Sequence, residues 1–334
     1  MSRKAIRFEA LVGKGLEKIG EQITVNVPAI PTPFPLWNEA CGEEGGRVGI
    51  AQSWLVVLGG ADGSGKSYMG VNLAAHAVRQ GEKVGFINFE MTKVGLTQRY
   101  LAILSGYPKY QMEHGKYFSM EAWLKAQRVA DEIHEDTGGL LITNDSGVFD
   151  LDDISEAYKR MADAGCKKIL IDYAQLVAVK GQDGIFQRSE AVGNELRVLT
   201  HEYKVSSVVL SQFNREGKKL GDSPPTRHYL QGGSAWENNA NQIVLIDHTL
   251  RIKADKEKAI YTRLLMDKNR HGESPISIPV RWDLINMRWE QGEPPVGIGD
   301  GGGLEFVAPG EDPEEGTPTG HPHDKMFGKQ ERLF

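Results

Sequence analysis

Gly60-Ala61-Asp62-Gly63-Ser64-Gly65-Lys66-Ser67 is the stretch on which the reading of this chain turns. It fits G-x-x-x-x-G-K-[ST], a loop whose backbone N–H groups cradle phosphate. Its flanks fit too. Trp54-Leu55-Val56-Val57-Leu58-Gly59 is a short apolar run of the kind that forms a buried strand. Met69, Leu73, Ala77 and Val78 then recur at helical spacing, and Gly81 closes the segment. Strand, glycine-rich turn and helix in that order bring free N–H groups and a positive dipole end to the loop. The whole stretch is therefore the expected nucleotide-binding element. Lys66 is expected to reach the β- and γ-phosphates of ATP, and Ser67 to hold Mg²⁺.

Outward from the loop, strands and helices alternate. Lys83–Glu90 reads as a second strand, followed by a helix through Leu96, Tyr100, Leu101 and Leu104 and a candidate helix over 119–135. Leu140–Thr143 is a third strand, 151–164 a helix, and Lys168–Tyr173 a fourth strand. A helix near 187–203 leads to a fifth strand, Val205–Leu210. This alternation predicts an α/β fold, a mostly parallel sheet with helices on both faces. Ile243–Ile246, Tyr261–Met266 and Ser277–Trp282 have short connections and read as an antiparallel extension.

The flanking regions differ. Residues 3–23 carry Phe8, Val12, Leu16, Ile19 and Ile23 at helical spacing, interrupted by Gly13 and Gly15. That pattern suits a helix packed on its own domain or docked on a neighbouring subunit. Residues 28–46, rich in proline and glycine, read as loop, and 291–328, rich in Gly, Pro, Asp and Glu, as a disordered tail. The expected organisation is an arm and linker over 1–50, an ATPase domain over 51–290 and an acidic tail over 291–334.

Bulk composition narrows the class. The 334 residues are 40% hydrophobic and 25% charged, enough for a sizeable core. The longest apolar runs are strand-length, which predicts no membrane span. No apolar signal region follows Met1-Ser2-Arg3-Lys4, so a cytoplasmic location is expected. Cys41 and Cys166 stand apart, which argues against a disulfide framework or a zinc site. With a formal net charge of -6, any nucleic-acid contact must come from a local basic patch.

The remaining candidates lie at strand ends. Asp172 closes an apolar run, the Walker B position that organises Mg²⁺ together with Ser67. Tyr173 follows it where many ATPases carry a glutamate, so Glu90, at the end of the second strand, is the candidate for activating water. Gln212, past the fifth strand, could sense the γ-phosphate. Residues 215–233 form a polar loop in which Arg215, Lys218, Lys219 and Arg227 could hold the phosphates of a single strand, with Tyr229 stacking on a base. A solvated surface loop is the alternative. Lys180 and Arg188 make a second, weaker candidate. Lys268 and Arg270 alternate with neutral residues, as in a charged hairpin turn or a cation pair reaching a neighbour's site.

Taken together, Asn88-Phe89-Glu90-Met91, Ile171-Asp172-Tyr173-Ala174-Gln175-Leu176, Leu210-Ser211-Gln212-Phe213-Asn214-Arg215 and Lys268-Asn269-Arg270-His271-Gly272 resemble the motor domain of the DnaB-type replicative helicases, in order and spacing, over about residues 30–290. The resemblance implies a RecA-like core, a homo-hexameric ring around single-stranded DNA, and ATP-driven 5′–3′ helicase activity. It implies that Glu90 activates water, Gln212 couples nucleotide state to the DNA loops, and Lys268 and Arg270 reach the neighbour's phosphates. About fifty residues precede the P-loop region where that family usually carries a primase-binding domain, as in compact phage and plasmid forms. Leu230-Gln231-Gly232 stands where the family commonly has Leu-Arg-Glu, so by the resemblance that DNA contact is either lost or moved to Arg227. The end of the chain, with Gln330, Leu333 and Phe334, resembles a bacterial sliding-clamp-binding peptide. Two other classes share the core: a RecA-like DNA-binding mediator or loader, and a KaiC-like regulatory ATPase.

Overall fold

The computed structural model describes residues 29–42, 49–108, 111, 119–137, 139–142, 150–172, 177–181, 184–221, 223–254, 258–294 and 304–306. The helix expected over 3–23, Tyr173–Leu176 and the clamp-like peptide at Gln330, Leu333 and Phe334 lie outside the described residues.

In chain order the elements are β1 (Ala29–Ile30), α1 (Pro35–Ala40), β2 (Ile50–Ala51), β3 (Leu55–Gly60), α2 (Lys66–Arg79), β4 (Val84–Asn88), α3 (Lys93–Ser105), α4 (Met120–Thr137), β5 (Leu140–Ile142), α5 (Leu151–Asp163), β6 (Lys168–Asp172), α6 (Ile185–Tyr203), β7 (Ser206–Gln212), α7 (Gly233–Asn239), β8 (Gln242–Ile246), β9 (Ile252–Ala254), β10 (Ala259–Asn269), β11 (Ile276–Asp283), β12 (Arg288–Gln291) and β13 (Leu304–Phe306). The main sheet runs β12-β11-β10-β8-β3-β7-β6-β4-β5, with β9 beside β10 and β13 beside β9.

β3, β4, β6 and β8 are buried at every position, as strands with neighbours on both edges and helices on both faces must be. One face packs Trp37 of α1, Met69 and Leu73 of α2 and Leu96 of α3. The other packs Tyr158 of α5, Leu196 of α6 and Trp236 of α7. The helices start where local chemistry favours it. Asp150 caps α5 by accepting from the N–H groups of Asp152 (2.9 Å) and Asp153 (3.0 Å), while Asp153 accepts from the Asp150 N–H.

Two expectations fail, and a third fails in part: within the tail expected to be disordered, Leu304–Phe306 forms β13, paired antiparallel with β9. β8 is parallel to β3, not part of the antiparallel extension. Its link from β7 is a long crossover containing α7, and such a link can carry the chain past β3 and return it in the same direction. The antiparallel pairs begin only with β10, against β8 and β11. The second concerns 28–46, where the described residues include α1, started by Pro35 in its first turn. Phe34 and Trp37 are wholly buried. The Trp37 indole donates to Gln242 Oε1 (3.1 Å), the Gln242 amide donates to Asn269 Oδ1 (3.2 Å), and the Asn269 amide donates to the Ala40 carbonyl (2.7 Å). This proline-rich strap therefore belongs to the core at the amino-terminal edge of the parallel strands. β10 also continues past Met266, through a bulge, to Asn269, so Lys268 is a strand residue.

Candidate nucleotide site

The loop after β3 turns on glycines that geometry requires. Gly63 (φ 67°) and Gly65 (φ 83°) are left-handed. A Cβ on Gly65 would also lie 2.7 Å from Cζ2 of Trp289. Gly65 is the N-cap of α2, so Lys66 is the helix's first residue and Ser67 its second. The backbone N–H groups of this turn face the end of the sheet where ligands bind in parallel α/β folds.

Three strand ends converge beside the loop. β4 and β6 pair so that Asn88 is in register with Asp172, and β3 and β7 so that Gly60 is in register with Gln212. Asp172 is wholly buried, and its two carboxylate oxygens find no hydrogen-bond partner. Burial, reinforced by the Glu90 charge, pushes its carboxyl up to about 6, against the pull of Lys66, the Ser67 hydroxyl and Arg99. Lys66 is buried as well. Desolvation lowers its pKa, opposed by Asp172, Glu90 and Asp62. Glu90 is exposed on the turn after β4. The Asn88 side chain builds that turn, donating to the Met91 carbonyl and accepting from the Met91 N–H (3.1 Å). The Asn-x-Glu-Met order thus has a mechanical basis: the asparagine shapes the turn that carries the glutamate.

Lys66, Ser67, Glu90 and Gln212 line a cleft of about 240 Å³ with Asp62, Gly63 and Gly65. Three more lining residues, Tyr68, Arg99 and Trp282, were not singled out from the sequence. Tyr68 directly follows the motif, and that adjacency was the available signal. Arg99 lies on α3 and Trp282 on β11, with no local mark of their destination. Trp282 stacks on Trp289 (centroids 5.0 Å apart, planes within 8°), and the pair buttresses Gly65.

The residues fit a magnesium–nucleotide. An orphaned, buried carboxylate beside a serine hydroxyl and a buried ammonium is what a hard cation and a polyphosphate would satisfy together. Among the described residues no group of three or more His, Cys, Asp or Glu side chains could hold a metal. That donor set matches Mg²⁺, which takes one or two protein ligands and completes its shell with phosphate and water.

The other basic candidates separate. Arg215 and Lys219 are exposed. Lys218 pairs with Asp62 of the P-loop itself. Arg227 is tied down: its Nη1 donates to the Asp267 carbonyl (2.8 Å) and its Nε lies 3.6 Å from Glu237. The segment is folded, not a free loop. Asn214 Oδ1 accepts from the Glu216 (3.0 Å) and Gly217 (2.9 Å) N–H groups, Phe213 bridges Leu230, and Tyr229 packs over Gly217. Leu230-Gln231-Gly232 leads into α7, whose N-cap is Gly232. Lys180 is exposed, and Arg188 is half-buried on α6.

Lys268 and Arg270 lie elsewhere. The Arg270 N–H donates to the Asn241 carbonyl (3.0 Å), and the Asn241 N–H donates to the carbonyl of Leu55, at the start of β3. The P-loop leaves the far end of that strand, about 17 Å away at the usual rise per residue. Lys268 donates to the Glu237 carbonyl, and burial followed by the charges of Arg270 and Arg227 lowers its pKa to about 8. Arg270 donates to the Asn238 carbonyl (2.7 Å).

Residues 46–290 match the family described as DnaB-like helicase C terminal domain. Relatives include a probable plasmid replicative DNA helicase of Chlamydia psittaci, 26% identical over 226 residues, which are 67% of this chain and 48% of that protein. The replicative DNA helicase DnaB of Leifsonia xyli subsp. xyli is 23% identical over 250 residues, 74% of this chain and 52% of that protein. The chain thus spans about half the length of these relatives. Among solved structures, one described as an ATPase domain superposes with a TM-score of 0.71 at 16% identity, over 86% of this chain and 100% of that one. A DnaB-like replicative helicase, from a structure titled for its interactions with primase, superposes at 0.68 and 17% identity, over 86% of this chain and 68% of that one. The fold is the RecA-like ATPase fold expected from the sequence.

Proposed function

The chain belongs to the DnaB-like helicase C-terminal domain family, and we propose that it is an ATP-driven motor that moves along single-stranded DNA during replication. In this reading six copies form a ring, and hydrolysis at their interfaces drives 5′–3′ unwinding in the cytoplasm. The observation that carries the proposal is the separation of the site's two halves. Lys66, Ser67, Glu90, Asp172 and Gln212 converge at the carboxyl ends of the strands, while Lys268 and Arg270 sit at the opposite edge of the same sheet. In one chain they cannot meet; between neighbours in a ring they can.

Ser67 and Asp172 would hold Mg²⁺, and the loop from Gly60 to Gly65 with Lys66 would hold the phosphates. Bound there, Mg²⁺ would offset phosphate charge and align the terminal phosphoryl group. Glu90, exposed on its asparagine-braced turn, takes the proton of the attacking water. Gln212 offers the terminal phosphate a neutral amide from a strand directly beside the P-loop strand, so its position reports whether that phosphate is present. A neighbour's Lys268 and Arg270 then stabilise the charge that develops on transfer. Lys268 and Arg270 are held on backbone carbonyls, which pre-orients them for that role. Of the four cations named in this segment, Arg215 and Lys219 are exposed and would meet a DNA strand, with Lys218 and Arg227 held by Asp62 and Asp267. In this reading Gln330, Leu333 and Phe334 tether the motor to a sliding clamp, which a pull-down with and without the last five residues tests.

The deciding experiment is steady-state ATPase with and without single-stranded DNA, beside Glu90→Gln, followed by unwinding of forks with 5′ or 3′ tails. DNA-stimulated ATPase that vanishes in the variant, with unwinding from the 5′ tail, is the expected result. ATPase indifferent to DNA would replace the motor with a regulatory ATPase. Stimulation without unwinding would point to a mediator or loader.

A further inference from the structure

We propose that Glu237 is the positioning residue for Lys268 and Arg270, the cation pair that a neighbour's site would receive. The inference rests on the ring reading above and adds the residue that aims the pair. Glu237 lies half-buried on α7 and acts through both its main chain and its side chain. Its carbonyl accepts from the Lys268 ammonium, and the next carbonyl, that of Asn238, accepts from Arg270 Nη2 (2.7 Å). α7 ends at Asn239, so both carbonyls belong to a last turn whose acceptors have no partner within the helix. Cations at that end also meet the negative pole of the helix.

The carboxylate anchors the same turn through a second set of contacts. Its Oε1 lies 2.9 Å from His228 Nδ1, and its Oε2 lies 3.6 Å from Arg227 Nε. Arg227 reaches on to β10. Its main-chain N–H donates to Asp267 Oδ2 (3.1 Å), and its Nη1 donates to the Asp267 carbonyl (2.8 Å). Asp267 directly precedes Lys268. The contacts close a circuit from the Glu237 carboxylate through Arg227, Asp267 and Lys268 back to the Glu237 carbonyl. Such a circuit fixes an ammonium on a flexible four-carbon stem, which a single hydrogen bond does not. Charge acts in the same sense. Burial and the charges of Arg270 and Arg227 disfavour the Lys268 ammonium, and Glu237 is the carboxylate that opposes them. Glu237 thus keeps the pair both aimed and charged.

The test is the pH profile of ATPase by the full chain with single-stranded DNA present, with melting temperature as the check on folding. Glu237→Gln keeps the carbonyl and the side-chain shape and removes only the charge. It is expected to lower kcat about tenfold while KM for ATP changes by less than about threefold, the pattern of an interaction made in the transition state. Lys268 titrates at about 8, so wild-type activity should fall as pH rises through that value. This alkaline limb should move to lower pH in Glu237→Gln, where the ammonium has lost its carboxylate. It should move to higher pH in Arg227→Gln, where the ammonium has lost a like charge, which keeps the test alive if the first variant is unstable. A purely structural role would not shift the limb in opposite directions. A limb unmoved in both variants overturns the assignment. Lys268→Ala separates the two readings. If the wild type has no ATPase, or Lys268→Ala retains it, the reading of the cation pair falls and the Glu237 role with it. If Lys268→Ala loses ATPase while Glu237→Gln matches the wild type in rate and limb, the Glu237 role alone falls.

Discussion

The two ends of strand β6 carry the same kind of anomaly with opposite meanings. Asp172 closes the strand and Lys168 opens it; both are wholly buried, and neither side chain has a hydrogen-bond partner. Asp172 sits beside Lys66 and Ser67, which line a cleft together with the glycine loop. Lys168 is on the same face of the strand but packed into the core, with Glu82 the carboxylate whose charge favours its ammonium. Burial lowers its pKa to about 7. A buried ionisable group is therefore no mark of a site by itself. It becomes one when space and complementary charge are provided for a ligand, and otherwise it is a cost to stability. The polar network of Trp37, Gln242 and Asn269 near that amino-terminal edge underlines the contrast: it needs no ligand because each side chain is matched by another.

Glu90→Gln should be the most damaging test of the active end. It is expected to lower ATPase by about 10²–10⁴-fold, the usual contribution of a positioned base, with an unchanged circular-dichroism melt. Retained hydrolysis would mean that the active end is not organised around Glu90. At the other end, Trp37→Ala should cost about 3–5 kcal/mol in denaturant unfolding. It removes a wholly buried indole and unpairs Gln242.

The sharpest comparison neutralises each end of β6 in turn. A lysine whose folded pKa is lowered destabilises the fold as pH falls from 10.5 towards 7. Lys168→Met should therefore raise stability at neutral pH by on the order of 2 kcal/mol, and the gain should fade towards pH 10. A carboxyl whose folded pKa is raised to about 6 from 3.8 acts in reverse: its cost is full above pH 6 and vanishes as pH falls through that window. Asp172→Asn should raise stability at pH 7.5 by only about 1 kcal/mol, read as a slightly higher melting temperature, since Lys66 loses a partner in exchange. Nucleotide binding should survive the first substitution and lose its Mg²⁺ dependence in the second. If both variants bound nucleotide alike, the distinction between the two ends would fail. Smallest of all, Lys218→Ala should change stability by less than about 1 kcal/mol, because its bridge to Asp62 is partly exposed; a thermal melt reads it directly.

Much of the site was legible because its signals are local. The glycines between β3 and α2, the apolar run before Asp172 and the asparagine turn before Glu90 each encode their own geometry within a few residues. The same locality made the parallel core readable as alternating strands and helices. β8 escaped it because strand direction depends on where a connection travels, not on the strand's composition. The segment over 28–46 escaped because prolines that read as loop also start a helix and anchor a tryptophan.

What the sequence determined by itself, then, is the glycine loop between β3 and α2, the acidic residues after β4 and at the end of β6, and the class of sheet that presents them. Only the tertiary structure decided that Trp282 and Arg99 enter the cleft, that Lys218 joins the P-loop while Arg227 does not stand free, and that Lys268 and Arg270 face away from their own site. The reason is physical. Backbone turns and burial periodicity are set by neighbours in sequence. Which side chain a strand end meets is set by register and packing among residues hundreds of positions apart, and that competition is settled only when the whole core assembles.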